Sequence, residues 1–169
     1  MLVADEFGDF AGFELVEAGD AAIGYTAITT QASGNQYPVL QEITKTVYDA
    51  GKGNLSDPAR IGSVYHNLGI VNGILNVEAV RIAQAKFGNR TLTGDEVRWG
   101  FEHLRLDHAR VEALGAKDLF HSINVTWDNH EGNGYVTFQQ WDGANASWWR
   151  ASLCCPRALR RGTRPSPIN

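Results

Sequence analysis

At 169 residues the chain has the length of one ordinary domain, and its 43% hydrophobic and 20% charged content is that of a soluble globular protein. No apolar run approaches the ~20 residues that a membrane-spanning helix needs. All 19 acidic residues precede Gly143, whereas Arg150, Arg157, Arg160, Arg161 and Arg164 follow it, so the body is acidic and argues against a nucleic-acid partner.

The first ten residues, MLVADEFGDF, lack the basic start and apolar stretch of a secretory signal. Ala21 to Thr30 is rich in β-branched and aromatic residues and predicts a strand. A polar loop, Gln31 to Gln36, follows. Pro38 suits the first turn of a helix, and Val39, Ile43 and Val47 lie on one face of it. Gly51 and Gly53 end that helix and open a loop through Pro58.

The longest helical pattern runs from about Gly62 to Phe87, with Leu68, Val71, Leu75 and Ile82 in its apolar stripe and Gly88 as its stop. Gly69 and Gly73 inside it each cost about 1 kcal/mol relative to alanine. Close packing against a sheet is the favoured explanation, and backbone approach to a ligand or hinge the other. Thr93-Gly94-Asp95-Glu96 is a capping box opening a helix whose buried face is Val97, Phe101 and Leu104. Asp107 caps a short further helix closed by Gly115. Two strand patterns, SINVTW and YVTFQQW, flank a glycine-rich turn, and Asp142-Gly143 makes another turn. The order is β, α, long α, α, α, β, β, an α/β pattern without internal repeats.

After Gly143 the composition changes: no lysine and no acid, with Arg, Pro, Ser and Cys enriched and no clean helical or strand period. Residues 144–169 read as an irregular basic tail, either a disordered extension or, the favoured reading, the product of a frame slip. Cys154 and Cys155 are adjacent and form neither a disulfide framework nor a familiar zinc spacing.

Enzyme signatures are missing: there is no GxGxxG, phosphate loop, GxSxG elbow or HExxH. Asp128, His130 and Glu131 stand within four residues, but between strands and before Gly-Asn-Gly they read as a polar turn rather than a metal site. His103 and His108 read as solvent-facing or cap histidines, and His66 as structural or cleft-lining. Trp99, Trp127 and Trp141 read as core or hinge aromatics. No catalytic residue, metal or cofactor is expected.

Several stretches in order resemble one family: AGDAAIGY (Ala18–Tyr25), YPVLQ (Tyr37–Gln41), VYDAGKG (Val47–Gly53), GSVYHN (Gly62–Asn67), LTGDEVRWG (Leu92–Gly100), DNHEG (Asp128–Gly132) and FQQWDG (Phe138–Gly143). Together they are similar to the C-terminal third to half of branched-chain amino-acid ABC transporter substrate-binding proteins, the leucine-binding-protein-like group. The resemblance runs from about residue 7 to residue 143. It implies part of a two-lobed type I periplasmic-binding-protein fold with the N-terminal half missing, covered here by residues 1–143. The first ~30 residues would finish one lobe. Pro38 to about Leu106 would belong largely to the other, and the rest would return through the hinge.

The resemblance further implies an extracytoplasmic solute-binding component of an importer, not an enzyme. A small amino acid or amide would be held between the lobes, and an ABC permease in the membrane would be the partner. The ammonium group of such a ligand calls for a desolvated carboxylate. In the family an acid just upstream of the AGDAAIGY-like stretch serves, which makes Glu14 the first candidate and Glu6 the second. Tyr65 is the candidate lining residue. A ligand-sensing domain of the same fold, or a remnant without function, are the alternatives.

Overall fold

The computed structural model describes residues 3–4, 18–132, 134–143 and 147–151. Its first strand is β1 (Val3–Ala4), followed after the 3-10 turn Gly19–Ala22 by β2 (Thr26–Thr29). The strand expected over Ala21 to Thr30 is therefore shorter at its N-terminal end. Gly19 and Gly24 have positive φ, and the left-handed backbone they adopt turns the chain there instead of extending it.

Helix α1 (Pro38–Ile43) begins at the proline and passes into a π-helical turn, Thr44–Tyr48. The wider turn breaks the four-residue spacing of Val39, Ile43 and Val47, which end half-buried, while Leu40 is the fully buried residue. Helix α2 (Val64–Phe87) is capped by Ser63, whose hydroxyl accepts from the His66 amide, and stops at Gly88 with φ 98°. Helix α3 (Gly94–Glu102) has the full capping box, the Thr93 hydroxyl and Glu96 carboxylate each taking the other's main-chain N–H. Arg90 adds a two-pronged ion pair, and with the Thr93 amide it holds the Glu96 carboxyl down to about 2.

Next come β3 (Arg105–Leu106), α4 (His108–Ala113) capped by Asp107, and β4 (Ile123–Asn124), which pairs antiparallel with β3. The last strands are β5 (Thr137–Asp142) and β6 (Ser147–Ala151). The main sheet has the order β1-β2-β5-β6, with β1 parallel to β2 and the other pairs antiparallel. The SINVTW run thus contributes only a two-residue strand, since its remaining residues enter the turn closed by the Thr126–Asn129 bridge. Conversely, Ser147–Ala151 lies in the stretch without a clean strand period and still extends the sheet, because backbone pairing with β5 does not require one.

Two separate apolar clusters result. The larger gathers Leu40, Val71, Leu104, Leu106, Val111, Leu119 and Phe120 among the helices. The smaller holds Ala22 and Trp141 with Tyr25 against the sheet. Fully burying side chains of this size stabilises by about 1.5–3 kcal/mol each. Inside the helical cluster a single carboxylate, Glu78 of α2, is 2% exposed. Arg110 of α4 and Arg81 one turn along α2 both grip it, and Arg110's hydrogen bond first, then Arg81's, outweigh burial and hold the carboxyl at about 2.

Candidate functional site

The chain passes between the two clusters twice, near residues 30–36 and again between Val125, packed on the larger cluster, and Trp141 in the smaller. Buried polar side chains collect at this junction: Thr29, Gln31, Thr137 and Gln139. They are there because the crossing backbone leaves the sheet ladder and needs other partners, and buried polar groups must be paired. Gln139 Oε1 accepts from both the amide and the hydroxyl of Ser33. The Thr29 hydroxyl donates to the Gln31 carbonyl at 2.8 Å, and the Ala32 amide donates to the Leu119 carbonyl at 2.7 Å. Thr137 Oγ1 and His121 Nε2 are 3.3 Å apart.

The first crossing then runs along the N-terminal end of α2. Gly34 donates its amide to the Gly62 carbonyl at 2.7 Å. A Cβ on Gly62 would stand 2.8 Å from the Gly34 carbonyl carbon, so only glycine admits this approach. Asn67, 0% exposed, sends its amide nitrogen to the carbonyls of Ala32 and Gly34, each at 2.9 Å. That orientation leaves Asn67 Oδ1 facing His66 Nδ1 at 3.2 Å, while His66 Nε2 lies 3.0 Å from the Tyr48 hydroxyl. A neutral imidazole protonated on Nδ1 satisfies both contacts, with Tyr48 donating to Nε2. In that tautomer Nδ1 carries the proton, so the Gly62 amide 3.4 Å away makes no hydrogen bond to it.

Tyr65 stands between Val64 and His66 on the first turn of α2, 46% exposed beside this network. It is the one sequence-derived site residue that the structure places; Glu6 and Glu14 lie outside the described residues. Reading the sequence left His66 open between two roles and missed Asn67, Tyr48, Ser33 and Gln139. A buried asparagine in a helix interior has no periodic signature, though Asn at an apolar-stripe position is a signal of a fixed polar contact. Chemically these groups are neutral donors and acceptors that satisfy one another and the main chain, so they hold a geometry.

The aromatic residues separate. Trp141 is core, Trp99 is half-buried and stacked on His103 with centroids 3.9 Å apart, and Trp127 is 77% exposed. Trp127 is therefore not a core aromatic: it sits exposed on the tight 126–129 turn. His103 donates through Nδ1 to the Trp99 carbonyl, 2.8 Å away, as a helix C-cap. Around DNHEG, Asn129 donates to the Gly132 carbonyl at 2.8 Å, the turn that was expected. Among the described residues no three of His, Cys, Asp and Glu converge, and no helix is long and apolar enough to cross a membrane.

No protein-family model and no curated protein sequence matches the chain. Solved structures do. A protein from the Pseudomonas fluorescens group, described as an ABC transporter permease, superposes with a TM-score of 0.84 at 37% identity, over 93% of this chain and 37% of that one. A branched-chain amino acid ABC transporter protein from Thermus thermophilus, solved with bound valine, superposes with a TM-score of 0.63 at 20% identity, over 88% of this chain and 37% of that one. The chain thus spans little more than a third of the length of these neighbours, both described as ABC transporter proteins. It resembles part of these two ABC-transporter proteins and carries part of their α/β fold, consistent with a fragment of a leucine-binding-like protein.

Proposed function

We propose that the chain serves in the solute-binding component of an ABC importer, taking a branched-chain or related small amino acid, or an amide, between two lobes. The observation that carries this is the fold shared with the Thermus protein that holds valine. The division of the chain into two apolar clusters joined by a double crossing supports it, since ligands of α/β folds sit in clefts between packed bodies. In this reading residues 1–143 form the binding-protein portion. Glu14, with Glu6 as second candidate, pairs the ligand's ammonium group, and Tyr65 lines the cleft. The component works outside the cytoplasm and delivers its ligand to a membrane permease.

The test replaces the matched 37% of the Pseudomonas chain with this chain. The graft is checked for cooperative melting and titrated with valine, leucine and a short aliphatic amide by calorimetry. Saturable one-to-one binding, weakened tenfold or more by Glu14→Gln, is the expected result. A folded graft that binds none of the three overturns the reading.

A further inference from the structure

Helix α2 has two sides to cover. One, with Val71, Ile70, Ile74, Leu75 and Ile82, packs into the large apolar cluster. The second is covered by α3, through very small residues: Ala79 and Ala83 are fully buried, and a Cβ on Gly100 would collide with the Ala79 carbonyl oxygen. The two backbones touch there. This cover reaches only the C-terminal half of α2.

Followed toward the N-terminus at steps of three and four residues, the same side presents Asn76, Gly73, Asn72 and Gly69. All four are exposed, and a Cβ on Gly69 or Gly73 would meet no described atom within 4 Å. The close packing against a sheet expected for these glycines is not seen: among the described residues no element lies over them. Val77, 66% exposed, flanks the same stretch. From Tyr65 to Val77 there is no Asp, Glu, Lys or Arg. Solvated helix faces ordinarily carry charge, and glycine weakens a helix unless its lack of a side chain is used. The uncovered half therefore has the chemistry of the covered half, continuous with it along one helix.

We propose that this face of α2, from Gly69 to Asn76, is a docking surface for a helix of the part of the fold that lies outside the matched region, laid in line with α3. Each neighbour has a chain of which this one spans 37%, so most of the fold's polypeptide must pack on surfaces that are open here. Gly69 and Gly73 admit the incoming backbone as Ala79 admits Gly100, and Asn72 and Asn76 offer neutral amides to it. The inference rests on the fold likeness alone and does not depend on which ligand is bound.

The experiment compares one double variant, Gly69→Leu with Gly73→Leu, in two settings and without ligand. In the free full-length chain the substitutions fill open space on a helix, so helicity and melting temperature hold or rise. In the Pseudomonas graft they obstruct the docked helix, and the melting temperature falls by about 5 °C or more. Ala85→Leu, on an exposed part of α2 away from this seam, leaves both unchanged. A rise in both settings overturns the proposal, because the face is then solvated in the complete fold. A dimer of the free chain in sedimentation that the double variant dissociates overturns it too, since a second copy then covers the face.

Discussion

Arg110 Nη2 lies 2.6 Å from Glu78 Oε1, joining the first turn of α4 to the middle of α2 across 32 residues of sequence. Arg81 closes the other carboxylate oxygen at 2.8 Å, so a carboxylate that is 2% exposed has a guanidinium on each side. The pair is a cross-brace for the helical body, placed where α4 has little other contact with α2. Removing the acid leaves two guanidinium groups facing each other over a buried gap. We expect Glu78→Gln to destabilise the chain by about 1–3 kcal/mol at neutral pH, the cost of weakening charged hydrogen bonds to a buried group whose arginine partners stay partly in solvent. Equilibrium urea unfolding measures it, and a change within 0.5 kcal/mol of zero (about the error of such titrations) contradicts the brace.

The same carboxyl sets a pH dependence. In the folded chain Glu78 and Glu96 are held at about 2, below the ordinary value of 4.5. A group depressed in the folded state contributes stability above its unfolded value and loses it as pH falls through its folded value. Stability should therefore be full above about pH 4.5 and decline toward pH 2. Urea midpoints at several pH values across that window test this. Glu78→Gln should flatten the decline, leaving the exposed Glu96 part, which added salt weakens further.

Asn67 is the anchor of the first crossing. Asn67→Ala strips two buried carbonyls, those of Ala32 and Gly34, of their donor. A loss of about 2–3 kcal/mol is expected for such stranded groups. Hydrogen exchange localises it: the amides of Ala32 and Gly34, which are bonded to Leu119 and Gly62, should exchange faster, while those in the middle of α2 keep their rank. Uniform acceleration across the chain would instead mark a global effect.

Two glycines of one helix pair should answer an added methyl with opposite signs. Gly69→Ala enters open space at an exposed helical position and should stabilise by roughly 0.5–1 kcal/mol. Gly100→Ala drives a carbon into the Ala79 carbonyl and forces α3 away from α2, which should destabilise by roughly 1–3 kcal/mol. Melting temperatures of the two single variants, measured side by side, decide it; equal responses would contradict the described contact between α2 and α3.

Much of the local structure was legible because it depends on near neighbours. Pro38, Thr93 with Glu96, Asp107 and Gly88 start or stop helices where the sequence says they should, since caps act within one turn. The motifs from Ala18 to Gly143 carried the resemblance that the two structural neighbours share. Failures fell where a distant partner decides. The early part of the expected first strand curls into a 3-10 turn over Ala22, which packs on Trp141 far along the chain.

By itself, then, the sequence determined where helices begin and end and which stretch would be the long one, because hydrogen bonds within a few residues set those limits. It also determined the acidic, uncharged and glycine-bearing stretches as compositions. Tertiary structure alone decided what each composition does. Glu78 became a buried brace because α4 delivers Arg110 to it. Asn67 became an anchor because the 30–36 crossing passes it, and Gly69 and Gly73 became an open face because α3 stops short of them. Such outcomes depend on which surfaces meet across tens of residues, a matter of packing geometry that no local pattern encodes.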